Sequence, residues 1–411
     1  MPAAPQSAAT TPPRGMSPGV VVLVLSLLLG IQPVTTDLYL PALPALTEKF
    51  GAPVSQAQLT LTALLLAFGL SQLVWGPLSD RFGRRAVLLC GLSAYTLASV
   101  GAALASSMPV LIGWRTLQGI AMGAAVMGAR AIVRDLHSPE IGARVMSKGL
   151  TGLGLIACFC APVGGLLSDW FGPRYALTAL VVFGAGALTV IALRFQETVP
   201  RKNPLALQPA TLARTWAGIV RNPTFLAYSA LSTASYAGLF TFLASSSFVF
   251  IKVLGLSRTQ YGLTMFCVSF FYILGTFLCR HLVPRFGVRR AVAIAGGLTI
   301  GGGTMVGMLG WMGIHSFWAV LLPFLVFMLG HGVHQPCGQS GAVGPFPQAA
   351  GAASALNGFL MTLAAFGVGG WVGLRLDGTA AVLTNGVWFW SACIAATAWT
   401  LVQRHGDPRK A

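Results

Sequence analysis

Twelve apolar windows of about 20 residues run along this chain, each long enough to cross a hydrocarbon core of ~30 Å. They fall near 20–42, 57–78, 86–106, 109–130, 144–167, 174–194, 224–250, 260–281, 290–312, 317–338, 350–373 and 380–402. Nothing else restricts the fold so severely, because backbone in lipid must satisfy its polar groups within helices or a closed barrel. The windows lack the alternation of membrane strands and exceed the ~10 residues such a strand needs. Helices are therefore expected throughout. Composition agrees: 55% of residues are hydrophobic and 9% charged, with mean hydropathy +0.75, whereas a soluble domain carries about 25% charged residues. The 50 glycines and 24 prolines follow no low-complexity period and suit membrane helices. The first window runs on past Ile31, has only Arg14 before it, and precedes eleven more. It reads as an uncleaved span and not a secretory leader.

Charge placement gives an orientation. Of the 26 Lys and Arg, about twenty fall at loop ends on one side, among them Arg81, Arg84, Arg85, Arg130, Arg134 and the group Arg280 to Arg290. Lys49, Arg174, Lys252, Arg258 and Arg375 fall on the other, and Arg115 lies within a span. The positive-inside rule then makes both termini cytoplasmic. The net charge of +17 is distributed as topology signals, which argues against a nucleic-acid-binding face. The seven cysteines lie inside the windows without a CxxC pair and read as small apolar side chains, not disulfides or metal ligands.

Residues 196–222 are the longest polar and basic interruption, and they follow the sixth window. An internal echo supports two halves: GPLSDRFGRRAVLL (76–89) follows the second window and LVPRFGVRRAVAI (282–294) the eighth. The expected organisation is residues 1–17 as a disordered cytoplasmic segment, 18–195 as a six-helix bundle, 196–222 as a cytoplasmic linker, 223–403 as a second bundle and 404–411 as a cytoplasmic tail. Parallel repeats of this kind belong to transporters that bind substrate near the bilayer midplane. Other classes fare poorly. No phosphate-binding loop, GxSxG, HExxH or paired-acid motif sits on a soluble segment, so enzymatic activity and ATP-driven transport by this chain are disfavoured. A channel would call for an oligomeric filter, whereas two unlike halves build a pathway from one chain, so a monomer without cofactor or metal is expected.

GPLSDRFGRR (76–85) resembles the signature loop of the major facilitator superfamily, with Gly76, Asp80, Arg81, Gly83, Arg84 and Arg85 in place. LIGWRTLQGIAMGAA (111–125) is similar to that superfamily's fourth-span motif through Arg115 and Gly119. GLGLIACFCAPVGG (152–165) matches its fifth-span antiporter motif at Gly152, Pro162, Gly164 and Gly165, with Ala161 where a glycine is usual. TTDLYLPALPAL (35–46) and ARAIVRDL (129–136) narrow the resemblance to the Bcr/CflA branch of drug:proton antiporters. The resemblance implies an all-α protein of twelve transmembrane helices in two bundles, in a bacterial inner membrane, exporting drugs such as chloramphenicol-like, bicyclomycin-like or sulfonamide compounds in exchange for protons. It also implies that Asp80 locks the outward-facing arrangement by anchoring against basic groups and a helix end, and that Arg115 faces the bundle interior and tunes a nearby acid. An exporter of an endogenous metabolite, and a facilitator or sensor without proton coupling, remain alternatives.

Several positions carry a physical argument of their own. Arg115 lies about six residues into its span, where an arginine costs roughly 2.5–3.5 kcal/mol on insertion scales; it either snorkels to the interface or serves the interior. Gly149, Gly152, Gly154, Pro162, Gly164 and Gly165 give the fifth window a face for close helix approach and a bend. In HGVHQPCGQ (331–339), His331, His334 and Cys337 recur every three residues. With Gln335 and Gln339 they are candidates for a cavity wall, or for structural hydrogen bonds, more readily than for a metal site. Tyr39, Gln118, Tyr236 and Phe240, with Phe68, Trp75, Phe242 and Phe271, are further wall candidates. The sharpest position is Asp37. The other eight acids fall in loops, span ends or the tail, so Asp37 is the one carboxylate expected within the bilayer. A lone carboxylate there is costly to leave charged and apt to take up a proton, while Pro41 and Pro44 should bend the helix and free carbonyls beside it. A proton site, shared or not with substrate, is expected at Asp37; a permanent pairing with Arg115 or a hydroxyl is the rival reading.

Overall fold

The run of apolar windows becomes a run of long helices. The computed structural model describes residues 16–137, 139–199, 208–314 and 316–406. Arg14, the linker residues 200–207 with Asn203, and the tail with Asp407 lie outside the described residues. In chain order the helices are α1 (Pro18–Asp37), a 3₁₀ turn (Leu40–Ala42), α2 (Leu43–Lys49), α3 (Val54–Phe82), α4 (Arg84–Ala103), α5 (Met108–Leu136), α6 (Pro139–Trp170), α7 (Arg174–Arg194), α8 (Pro209–Val220) and α9 (Pro223–Phe248). A single π turn (Val249–Val253) follows, then α10 (Arg258–Trp311), α11 (Phe317–Val343), a 3₁₀ turn (Pro347–Ala349), α12 (Ala350–Arg375), α13 (Ala381–Trp399) and α14 (Leu401–His405). No strand occurs among the described residues. Eleven segments are long and apolar enough to cross a membrane.

Two elements differ in detail from the sequence reading. The windows at 260–281 and 290–312 are two helices, as expected, but no loop parts them: within α10 they meet directly at one residue. Only Gly287 (φ 76°, ψ 164°) leaves helical geometry, and it breaks the rod in two. Its counterpart in the echo, Gly83 (φ 106°), likewise separates α3 from α4, so the repeat is conformational as well as textual. The second departure is α8, a helix within the expected linker.

Glycines set how closely the helices approach, as expected where lipid gives no hydrophobic drive to association. A Cβ on Gly119 of α5 would overlap the Leu64 carbonyl of α3, and one on Gly332 of α11 would meet Gly275 of α10. Between the first and second halves of the chain, α3 lies along α12 and α6 along α10. The space these two contacts leave in the middle holds the groups described next.

Candidate functional site

The first span is not one helix. Asp37 is the last residue of α1, and the chain turns through Leu38 and Tyr39 before Pro41 and Pro44 begin the 3₁₀ turn and α2. Proline is tolerated at a helix start, where its missing N–H has no partner to lose, so the two prolines mark a restart and not merely a bend. A helix end leaves its last carbonyls unserved. Here Arg115 Nη2 donates to the Thr35 carbonyl at 2.9 Å.

Arg115 is fully buried. Its Nε donates to the Thr60 carbonyl (3.4 Å) and its Nη1 to Gln118 Oε1 (3.0 Å), while its guanidinium lies 4.5 Å from the centre of the Tyr39 ring. Gln118 Nε2 passes the chain on to Ser99 (2.7 Å), Thr35 and Tyr95 share a hydrogen bond of 2.7 Å, and Tyr39 and Thr60 one of 3.1 Å. This connected cluster corrects one sequence expectation and decides between the alternatives of another. Tyr39 and Gln118 are not cavity walls; both are fully buried and clamp the arginine. Nor does Arg115 snorkel: it ties α1, α3, α4 and α5 together from inside.

Asp37 stands outside this cluster. Thr36 Oγ1 donates to its Oδ1 at 2.7 Å, and no cation among the described residues comes within 4.0 Å of it. The carboxylate is not paired with Arg115. Cys160 on α6 and Tyr236 and Tyr261 on α9 and α10 share its electrostatic surroundings. Tyr236 stacks on Phe240, with centroids 6.4 Å apart.

Other wall candidates sort by partner. His331 shares a 2.8 Å hydrogen bond with Ser235 of α9 and packs against Tyr272 of α10. His334, expected near the same face, instead contacts the Val292 carbonyl at 3.3 Å, inside the second half. Gln335 Nε2 donates to the Ser232 carbonyl (3.0 Å) and Gln339 Nε2 to Gln335 Oε1 (3.1 Å). Phe242 is stacked on Phe324 at 3.7 Å in the core, so it is not a wall either. Cys337 meets Cys279 across α10 and α11 with 3.6 Å between sulfurs, a neighbour that spacing alone did not reveal.

At the Asp80 end lies a cavity of about 580 Å³, bounded by α3 and α5 from one half and by the start of α12 from the other. Asp80 Oδ1 is 2.7 Å from Arg84 and 3.4 Å from Arg134. Arg84 in turn binds Asp135 (2.8 Å) and Ser79 (2.9 Å). Arg81 and Arg85 do not pair with Asp80: Arg81 lies over Phe82, and Arg85 donates to the carbonyls of Phe195 and Ala192. Gly76 lines the cavity near Met127. Across it, Arg130 reaches Ser354 at 2.6 Å. Glu197 completes this face. Its Oε1 and Oε2 accept from the backbone N–H groups of Arg84 (2.9 Å) and Arg85 (3.2 Å), capping α4 after Gly83. Burial alone would push this carboxyl up, but the N–H groups of Val199, Arg84, Arg85 and Thr198 together hold it below the usual carboxylate range. Sequence reading placed Arg134 only among the topology charges, and Arg134 and Asp135 only within ARAIVRDL; their ion pairs, and the capping by Glu197, were not anticipated.

The opposite end is shut. Asp169 accepts from the Thr259 N–H (2.8 Å) and hydroxyl (2.7 Å) and faces Arg258 at 3.5 Å. Lys252 pairs with Glu48, and Gln58 Nε2 donates to the Ala244 carbonyl (2.7 Å). Each bond joins the first half to the second. The motif glycines of α6 bring its neighbours into this seal: a Cβ on Gly152 would strike Ser26, one on Gly164 the Leu38 carbonyl, and one on Gly165 the Arg258 carbonyl. Pro162 and Ala161 press on Gly262 of α10.

Comparison with known proteins bears on this arrangement. Residues 25–370 match the family described as "Major Facilitator Superfamily". The chain is 29% identical over 345 residues to "Multidrug resistance protein D" of Escherichia coli (strain K12), covering 84% of this chain and 86% of that one. It is 28% identical over 337 residues to the "Chloramphenicol resistance protein" of Pseudomonas aeruginosa, covering 82% and 79%. Among solved structures, that of a "D-xylose-proton symporter" superposes with a TM-score of 0.73 at 18% identity, covering 95% of this chain and 99% of that one.

Proposed function

Because the chain belongs to the Major Facilitator Superfamily, we propose that it is a proton-coupled exporter of small amphipathic compounds, antibiotics among them, working by alternating access. The observation that carries this reading is the position of Asp37: a carboxylate at the end of α1, without a cationic partner among the described residues, with tyrosines of the other half in its electrostatic surroundings. The resistance names of the similar proteins support the substrate class. In this reading Asp37 takes up the inbound proton, and the Arg115 cluster holds the broken segment in place. Substrate occupies the space between residues 18–195 and 223–403, each acting as a six-helix bundle. The seal at Asp169 and Glu48 closes the outer face, and the cavity at Asp80 opens to the cytoplasm.

The reading makes two demands. Everted membrane vesicles should take up chloramphenicol-like compounds when a pH gradient is imposed and release them when it is collapsed. Equal uptake with and without the gradient leaves only a facilitator. Counting α10 as two crossings separated at Gly287 gives twelve crossings in a bacterial inner membrane, with both termini and the linker cytoplasmic. A cysteine placed at Asn203 should then react with an impermeant thiol reagent in everted vesicles and stay unlabelled in intact cells. Labelling from outside the cell reverses the topology.

A further inference from the structure

The two copies of the basic loop differ in one respect. In the first, the helix restarting after Gly83 has its opening N–H groups capped by Glu197, and Arg84 is neutralised by Asp80 and Asp135. In the second, the helix restarts after Gly287 with Arg289 and Arg290 in its first turn, and Pro284 stands where the first copy has Asp80. The sequence contains no acid between Glu197 and Asp377. Among the described residues, Arg285, Arg289 and Arg290 have no carboxylate within 4.0 Å.

At this spot there is a cavity of about 460 Å³ lined by Phe286, Gly287, Val288, Arg289, Arg290 and the α14 end at Gln403 and Gly406. Arg289 is held in place by Gln403: its Nη2 donates to the Gln403 carbonyl, and Gln403 Nε2 donates back to the Arg289 carbonyl at 3.0 Å. Its Nε is buried and has no partner among the described residues. Arg289 thus brings an uncompensated charge to the cavity, next to a second arginine and a helix start that favours negative charge. The cavity lies beside Trp399, whose Nε1 bonds the Ala293 carbonyl and ties α13 to α10.

We propose that this cavity is a binding site for a phosphate group of net negative charge, of the kind an acidic phospholipid headgroup presents at the cytoplasmic leaflet. The bound phosphate supplies the negative charge that Asp80, Asp135 and Glu197 supply at the first copy, accepting from the guanidinium groups of Arg289 and Arg290. Basic pockets between membrane helices on the cytoplasmic side recognise such headgroups. The cytoplasmic placement rests on the topology proposed above, but binding itself is read here without reference to transport.

The test uses the full-length protein in a neutral detergent. Thermal unfolding is followed with phosphatidylglycerol, with phosphatidylcholine, or with inorganic phosphate, alongside lipid retention in native mass spectrometry. Phosphatidylglycerol should raise the wild-type Tm by several degrees more than phosphatidylcholine. Arg290→Gln, an exposed change that leaves the Arg289–Gln403 bonds in place, should weaken retention about tenfold, and Arg289→Gln should do so more strongly if it folds. Arg81→Gln, an exposed cation of the first copy, should change nothing. Protection by inorganic phosphate that competes with the lipid supports the site and assigns it a soluble ligand. Equal effects of the two lipids overturn the proposal, as does equal loss in Arg81→Gln. Binding that appears only in Asp407→Asn also overturns it, since the tail carboxylate would then be the occupant.

Discussion

Replacing Asp37 with asparagine is expected to leave an inserted, cooperatively folding protein whose export no longer follows a pH gradient. The amide keeps an oxygen for the Thr36 hydroxyl, so the loss of stability should stay within about 1 kcal/mol. What disappears is the exchangeable proton. A charge moving inward with the potential supplies about 2.3 kcal/mol per 100 mV, equivalent to roughly a fifty-fold concentration ratio for a neutral drug leaving in exchange. The variant should forfeit that accumulation and retain at most downhill movement. Reconstituted vesicles with imposed gradients give the measurement, and detergent melts give the control for folding. An Asp37→Asn protein that still concentrates substrate with the wild-type response to pH removes Asp37 from the mechanism.

Arg115→Met should damage the protein itself. The change strands the carbonyls of Thr35 and Thr60 and the Gln118 oxygen inside a closed cluster. Each buried acceptor left unserved costs about 1–3 kcal/mol, so the sum is a large part of a typical stability of about 5–15 kcal/mol. A fall of many degrees in Tm and poor accumulation in the membrane are expected. Arg115→Lys keeps the charge without the planar fork that serves three acceptors at once, and should lie between the two. A methionine variant melting with the wild type would mean the cluster re-forms around it.

How much of this could be read beforehand depends on what each feature is made of. Spans are written in side chains, and α7 coincides with the window at 174–194. The restart after Asp37 was visible in Pro41 and Pro44, because proline acts on its own backbone. The directness of the junction inside α10 was hidden, since residues 282–289 contain a proline, a glycine and two arginines and look like a loop; only Gly287 leaves helical geometry. The partners of Arg115 were hidden for a different reason: two of the three are backbone carbonyls, which every residue possesses. The seal at the far end was hidden by distance along the chain, with Thr259 lying 90 positions from Asp169 and Lys252 lying 204 from Glu48. His334 was left between a cavity wall and a structural hydrogen bond, and its contact with a carbonyl of α10 favours the second.

Gly164 and Gly165 are neighbours on α6, yet they rest on different halves of the molecule: one on the carbonyl that follows Asp37, the other on the carbonyl of Arg258 at the seal. Neither contact has side-chain atoms on the glycine to absorb a displacement, so α6 works as a stiff lever with two bearings one residue apart. In the proposed cycle, parting the seal would shift the second bearing, and the lever would pass that shift to the peptide that follows Asp37. Linkage makes the traffic two-way. Whatever opening the outer face does to the hold on a proton at Asp37, the proton does in equal measure to the opening.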